Sequence, residues 1–366
     1  MNYKLLKELC ETPSVAGREV RIRNFIHEHV KAYFDEIEID PLGSLICKIN
    51  SKRKNKKKIL LLCHMDEIGF LVSHINSKGF VFVDPVGGFD PRNLFSRRVL
   101  ICTEKEDIRA VMNPQGKPVH TQSPADRKKI PEPNEFFIDT GLGEKAKDKI
   151  KIGDFVVMDE PFLEMSEKIV SKALDNRIAC WIGIEIAKYF YENKIELSND
   201  LVIVFTTQEE VGLRGAKTAS FNVKPDIAIG VDTTLACDTP GVPEQDWITQ
   251  QGKGFGLHIK DSSFISDNDL VEEFVKLAEK TKISYQRTIL SRGGQDGAAG
   301  QQAGSGAKAI AIVVGTRYIH TVTEMIDKKD LSNALDILKK YIESMAVSYT
   351  HLRAHETLRY LVCRLL

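Results

Sequence analysis

Ile59-Leu-Leu-Leu-Cys63 runs without a break into His64-Met-Asp66, an apolar run that ends on side chains able to hold a metal. A fully apolar run of strand length belongs to a strand covered on both faces, and three more occur at Leu201 to Phe205, Ile227 to Val231 and Ala309 to Val314. Helical patterns lie before the second (Asn176 to Tyr191), before the fourth (Asp269 to Thr281) and after the last (Leu331 to Ser344). That alternation predicts an α/β sandwich whose central strands are largely parallel.

Upstream of the first strand, Leu5, Leu6 and Leu9, then Val20, Ile22, Ile26 and Val30, stand at helical spacing around the turn chemistry of Thr12-Pro-Ser-Val-Ala-Gly17. Glu36 to Ile39 and Ser44 to Ile49 read as strands flanking Pro41-Leu-Gly43. Ser51-Lys-Arg-Lys-Asn-Lys-Lys-Lys58, wedged between two strands, reads as a solvated hairpin tip rather than a nucleic-acid patch. Residues 67–165 differ from the rest. They hold short alternating segments (Phe80-Val-Phe-Val83, Val99 to Thr103, Phe155 to Met158), many prolines and no long helical pattern, which predicts a small all-β domain inserted into the α/β domain.

Composition narrows the function classes. A chain of 366 residues is long enough for about two domains. Lys plus Arg and Asp plus Glu each number 51, so no global field draws the chain to nucleic acid. No apolar run approaches the ~18 to 20 residues that span a bilayer, and the charges of Lys4, Lys7 and Glu8 stand where a signal peptide would be apolar. The seven cysteines are scattered, with no C-x-x-C pair, and several lie in apolar runs; a reducing cytoplasm without disulfides is expected.

Each of the four apolar strands leads to a metal-ligand type: His64 and Asp66, Glu209 and Glu210, Asp232, and His320, while Asp175 precedes a helix. In open α/β sheets ligands bind outside the carboxyl ends of the strands, so these groups are expected at one edge. Two histidines and three carboxylates are what a dinuclear Zn, Co or Mn site requires, one carboxylate bridging. In His64-x-Asp66 the strand period turns both side chains to one face, so Asp66 is expected to accept the second ring N–H of His64. Glu209 and Glu210 point differently, suiting one as a ligand and the other as the base that deprotonates an activated water.

His64-Met-Asp-Glu-Ile-Gly-Phe70, Ala173-Leu-Asp-Asn-Arg177, Thr207-Gln-Glu-Glu-Val-Gly-Leu-Arg-Gly-Ala216, Gly230-Val-Asp232 and Ile319-His320-Thr321 together resemble the co-catalytic dimetal aminopeptidases of the glutamyl and deblocking aminopeptidase family. The resemblance spans about residues 3 to 345. It implies a three-layer α/β/α sandwich of the zinc-exopeptidase kind with a mixed, largely parallel sheet. The catalytic domain then comprises 1–66 and 166–346, and the inserted β domain, 67–165, serves assembly and access to the site. His64 and Asp232 are implied on one metal, Glu210 and His320 on the other, Asp175 bridging, Glu209 as general base and Asp66 behind His64. Two divalent ions per subunit are implied, zinc first, with cobalt or manganese as alternatives.

The expected activity is release of N-terminal residues from short peptides by a cytoplasmic homo-oligomer, a dodecamer, with no nucleic-acid or membrane partner. A dimetal deacylase or carboxypeptidase would share every ligand; a glycoside hydrolase would need two carboxylates without metals. In the inserted region, Gly87-Gly-Phe-Asp-Pro-Arg92 and Lys117-Pro-Val-His120 also resemble the family, whereas Gln295 of Arg292-Gly-Gly-Gln-Asp-Gly297 stands where the family more usually has Thr. Residues 347–366 do not continue the family pattern and read as a non-native tail, which discounts His351 and His355 as ligands.

Overall fold

The structure, a computed structural model, describes the backbone of residues 2–362 and the side chains of 2–345. The stretch 347–366 that the sequence sets apart lies outside the residues whose side chains are described. Helices α1 (Lys4–Glu11) and α2 (Val20–Val30) lead into strands β1 (Glu36–Ile39), β2 (Leu45–Ile49) and β3 (Lys58–His64). Next come β4 (Gly69–Ile75), β5 (Val81–Val86), β6 (Arg97–Cys102), β7 (Asp107–Pro114), β8 (Phe136–Asp139), helix α3 (Ala146–Lys149) and β9 (Phe155–Met158). The chain continues through β10 (Leu163–Glu164), β11 (Lys168–Ser171), α4 (Leu174–Glu192), β12 (Asp200–Thr206), α5 (Arg214–Val223) and β13 (Ile227–Leu235). It ends with β14 (Phe255–Lys260), α6 (Asn268–Thr281), β15 (Tyr285–Ile289), α7 (Gly297–Gln301), β16 (Lys308–Arg317), β17 (Glu324–Asp327) and α8 (Lys328–Val362).

The main sheet runs β1-β2-β12-β3-β13-β16-β17-β11-β10, with β14 also on β16 and β15 beyond it. Its middle strands β12, β3, β13 and β16 are parallel, and its flanks are mostly antiparallel. Period-two alternation sends the side chains of β3 to two different cores. Ile59, Leu61 and Cys63 join α4, α6 and α8 on one face, and Leu60 and Leu62 meet Ala216, Ala219 and Ala299 on the other. Strands buried on both sides read as unbroken apolar runs, which is why these four stand out in the sequence.

Two local readings are corrected. Residues 51–58 are no hairpin tip, because β12 lies between β2 and β3, with Ile203 facing Cys47 on one side and Leu61 on the other. Strands β13 and β16 also outrun their apolar cores: Asp232, Thr233 and Thr234 stay paired with Val313, Val314 and Gly315, so Asp232 lies within a strand. By contrast β13 pairs with β3 only from Ile227 to Gly230. Beyond Gly230 the two strands part, and the crevice between them receives His64 and Asp232.

Strands β4 to β9 close into a separate barrel in the order β4-β5-β8-β7-β6-β9, between β3 and β10 in the chain. Phe70, Val99, Met112, Phe136 and Ile138 fill its own apolar core. Among the described residues no helix is long and apolar enough to cross a membrane.

Candidate metal centre

The crevice gathers the residues expected there. His64 ends β3, Asp175 sits in the opening turn of α4, Glu209 and Glu210 follow β12, Asp232 lies in β13, and His320 follows β16. Asp175 reaches both imidazoles, with Oδ1 3.2 Å from His64 Nε2 and Oδ2 3.4 Å from His320 Nε2. Around His64 Nε2 stand Asp232 Oδ1 at 3.8 Å and Glu209 Oε2 at 3.9 Å; Glu210 Oε2 is 3.5 Å from His320 Nε2. The ligand atoms form two groups, His64 with Glu209 and Asp232, and Asp175 with Glu210 and His320, each within 4.8 Å of one another. Glu209, expected to stand apart as a base, thus packs within the first group.

The supporting contacts differ from the expected ones. Strand β3 stops at His64, so the strand period no longer governs Asp66. His64 Nδ1 lies 3.1 Å from the Asp66 backbone carbonyl but 3.6 Å from its carboxylate. The Asp66 carboxylate instead accepts the backbone N–H groups of Glu209 and Glu210, both at 3.1 Å, and so fixes where those two side chains begin. Glu324, which the sequence did not single out, accepts the N–H of Asp175 at 3.0 Å and of His320 at 2.8 Å. The Nδ1 of His320 meets the Gly88 carbonyl, from the loop after β5, at 2.9 Å. A carbonyl can only accept, so both Nδ1 atoms carry a proton, and both Nε2 atoms are left facing the carboxylates. Ala173, Gln208 and His320 hold left-handed backbone (φ 57°, 55° and 60°), strain of a kind that persists where surrounding contacts over-determine it.

Burial pushes the Glu209 and Asp232 carboxyls well above the usual range and Glu210 up to about 8, with neighbouring carboxylates adding to the effect. Burial opposes charge on the imidazoles, yet Glu209 and Asp175 hold His64 well above its ordinary value, and Asp175 and Glu210 hold His320 at about 10. Asp175 is held well below the carboxylate range because its hydrogen bonds to His320 and His64 outweigh burial. Such crowding of buried acids calls for cations. The donors are carboxylate oxygens and imidazole nitrogens, suited to Zn, Co or Mn, and Glu210 Oε1 is buried with no hydrogen-bond partner among the described residues. The residues present fit two divalent ions.

A cleft opens over the centre, walled by Leu213, Thr234, Ser262, Ser263, Arg292 and Gly293. One wall has a buried support that the sequence did not reveal. His258 of β14 bonds Thr288 through Nδ1 at 2.9 Å and faces Asp261 at 3.4 Å through Nε2. Asp261 accepts Ser263 N at 2.7 Å, and the Ser262 hydroxyl donates to the Gly293 carbonyl. Gln295, the departure from the family pattern, is 3% exposed and turned away from the cleft. Its Oε1 accepts Gly297 N at 2.6 Å and occupies the space a Cβ on Gly230 would need.

A mixed α/β sheet with twin carboxylate–imidazole groups at its carboxyl edge marks the chain as a metal-dependent peptide hydrolase. The sequence profile of M42 glutamyl aminopeptidase matches residues 43–337. An aminopeptidase of the archaeon Desulfurococcus kamchatkensis superposes with TM-score 0.88 at 34% identity, over 93% of this chain and 94% of that one. The Pyrococcus horikoshii TET1 peptidase, which can assemble into a tetrahedron or a large octahedral shell, superposes with TM-score 0.82 at 29% identity over 92% and 98%. A glutamyl aminopeptidase of Lactococcus lactis is 29% identical over 94% of this chain and 96% of its own. The chain belongs to the M42 glutamyl aminopeptidase family and is a metal-dependent aminopeptidase.

Proposed function

We propose that this chain removes N-terminal residues from short peptides at a dinuclear centre, with His64 and Asp232 on one ion, Glu210 and His320 on the other, and Asp175 between them. The observation that carries this reading is the carboxylate of Asp175, whose two oxygens each address a different imidazole. Bound divalent ions, zinc first and cobalt or manganese as alternatives, supply Lewis acidity toward the scissile carbonyl and a water. Glu209 takes the proton of that water and returns it to the leaving amine, a role its place beside His64 and Asp232 supports. Asp66 positions Glu209 and Glu210 through their backbone N–H groups and the His64 ring through its own carbonyl.

The wider organisation follows the same reading. Residues 67–165 act as an inserted β domain within a three-layer sandwich, and they serve assembly into a dodecamer. Exposed Val119 and Ile130, on the long segment between β7 and β8, support that role. A cytoplasmic setting agrees with six free cysteines, five of them buried, among the described residues.

The test compares an unblocked peptide with its N-acetylated counterpart after chelation and after return of Zn, Co or Mn. Metal-restored release of the first residue from the unblocked peptide alone is expected. Cleavage from the carboxyl end, or deacylation of the blocked peptide, would reassign the site to the alternative dimetal hydrolases, and activity that survives chelation would reject the metal centre.

A further inference from the structure

We propose that the amino edge of the sheet carries a binding groove for a linear oligophosphate, a run of linked phosphates either free or borne on a nucleoside. The groove lies where β13 and β16 begin, at Ile227 and Lys308, on the edge opposite the metal centre. Arg53 and Lys57 line it from the 51–58 segment, Lys276 and Lys280 from α6 and Lys308 from β16, and Glu273 is the acid among them. Lys308 is neutralised by Asp267 at 3.3 Å and Asp269 at 2.7 Å. The side chains of the other four cations have no ion pair or hydrogen bond among the described residues.

The 51–58 segment is exposed from Lys52 to Lys58 but tied to the sheet and its flanks at several points. Ser51 N bonds Asp200 at 2.8 Å, Lys57 N bonds Asn199 at 2.9 Å, Lys56 pairs with Asp200 at 2.9 Å and Lys52 with Glu196 at 2.7 Å. Two lysines therefore anchor the segment while Arg53 and Lys57 face the groove. Lys276 and Lys280 stand one helical turn apart, an arrangement of like charges that weakens a helix unless something anionic lies across them. At the floor, Tyr341 is 2% exposed and stacks on Phe274 with ring centroids 4.2 Å apart. Its hydroxyl is buried with no hydrogen-bond partner among the described residues, which leaves an unmet polar group in the lining of the groove.

The chemistry favours phosphates. Among the described residues no exposed aromatic ring lines the groove, so single-stranded nucleic acid would lack the stacking that ordinarily holds it. An extended acidic peptide turns alternate carboxylates away and spaces those on one face about 7 Å apart. Linked phosphates present charge on every unit to cations on both walls, and lysine and arginine are suited to such contacts.

The full-length, metal-loaded protein is titrated calorimetrically with inorganic tripolyphosphate, with ATP and with a hexa-aspartate peptide. The same titrations are run on Lys276→Gln/Lys280→Gln and on Arg53→Gln/Lys57→Gln, one variant for each wall. Tripolyphosphate or ATP should bind with an affinity that falls as salt rises, and each double variant should weaken binding at least ~10-fold while peptide hydrolysis is retained. The tighter of the two ligands identifies the source of the phosphates. Binding that neither variant changes would locate the anion at the metal centre and overturn the proposal. So would failure of both phosphates to bind, a preference for hexa-aspartate, or altered sedimentation of the variants without loss of anion binding, which would make the groove a contact between subunits.

Discussion

Charge is arranged in opposite ways at the two edges of the same sheet. At the carboxyl edge, acids are buried together with two imidazoles, so their protonation is displaced far from ordinary values. At the amino edge, about 17 Å away along β13 from Ile227 to Asp232, lysines and an arginine stand in solvent. A net charge of zero over the chain hides two local fields of opposite sign. Burial is what separates them: desolvated charges perturb one another and can handle protons and cations, whereas solvated ones act by attraction alone.

The largest effect expected at the buried edge comes from Glu209→Gln. It should leave both ions bound while turnover falls by ~10²- to 10⁴-fold, as loss of a general base requires. Glu210→Gln should lower metal content from two ions toward one, and Asp175→Asn should lower both. Metal analysis beside kinetics decides, and metal loss in Glu209→Gln would instead make Glu209 the ligand that its place beside His64 and Asp232 allows.

Chelation tests the electrostatics of the same edge. Acids with raised pKa stabilise the fold below about pH 4.5, and that contribution disappears as pH rises through about 8, the value for Glu210. The raised imidazoles act in the same sense, since the contribution of His320 fades as pH climbs toward about 10. The stripped protein should therefore melt at a lower temperature at pH 8.5 than at pH 6, by ~5 °C, and restored metal should give its largest gain at the higher pH. Calorimetry showing a flat profile between these values would mean that the acids do not repel one another as described.

His258→Ala should act more mildly. It leaves Asp261 and Thr288 without their buried partner and loosens the wall formed by Ser262 and Gly293. KM should rise about 10-fold with kcat within ~3-fold, because the wall holds substrate without touching the reacting atoms. Lys276→Gln/Lys280→Gln gives the smallest effect, peptide turnover within about twofold of the unaltered protein; a larger change would show that the solvated edge communicates with the centre.

How much of this was legible in the sequence depended on which atoms carried the information. The four parallel strands and seven residues of the site were readable because apolar runs and ligand side chains are themselves sequence. The partner of His64 was misread because it is a backbone carbonyl, and the hold of Gly88 on His320 leaves equally little trace. Glu324 looked like any acid at a strand start, since only the folded chain brings it under two separate N–H groups. The hairpin expected at 51–58 failed because the insertion of β12 depends on residues 150 positions later. Gln295 was legible as a departure, but its direction, into the space left by Gly230, was not.

The bond from His320 to Gly88 ties the barrel to the centre mechanically. The barrel supplies the acceptor that selects which tautomer His320 adopts, so a contact that tilts the barrel against the sheet would change the direction and basicity of an imidazole several strands away. Any contact that moves the barrel would thereby adjust a proton on one ring. A neighbouring subunit pressing on the barrel would act as an effector, with no need to reach the cleft.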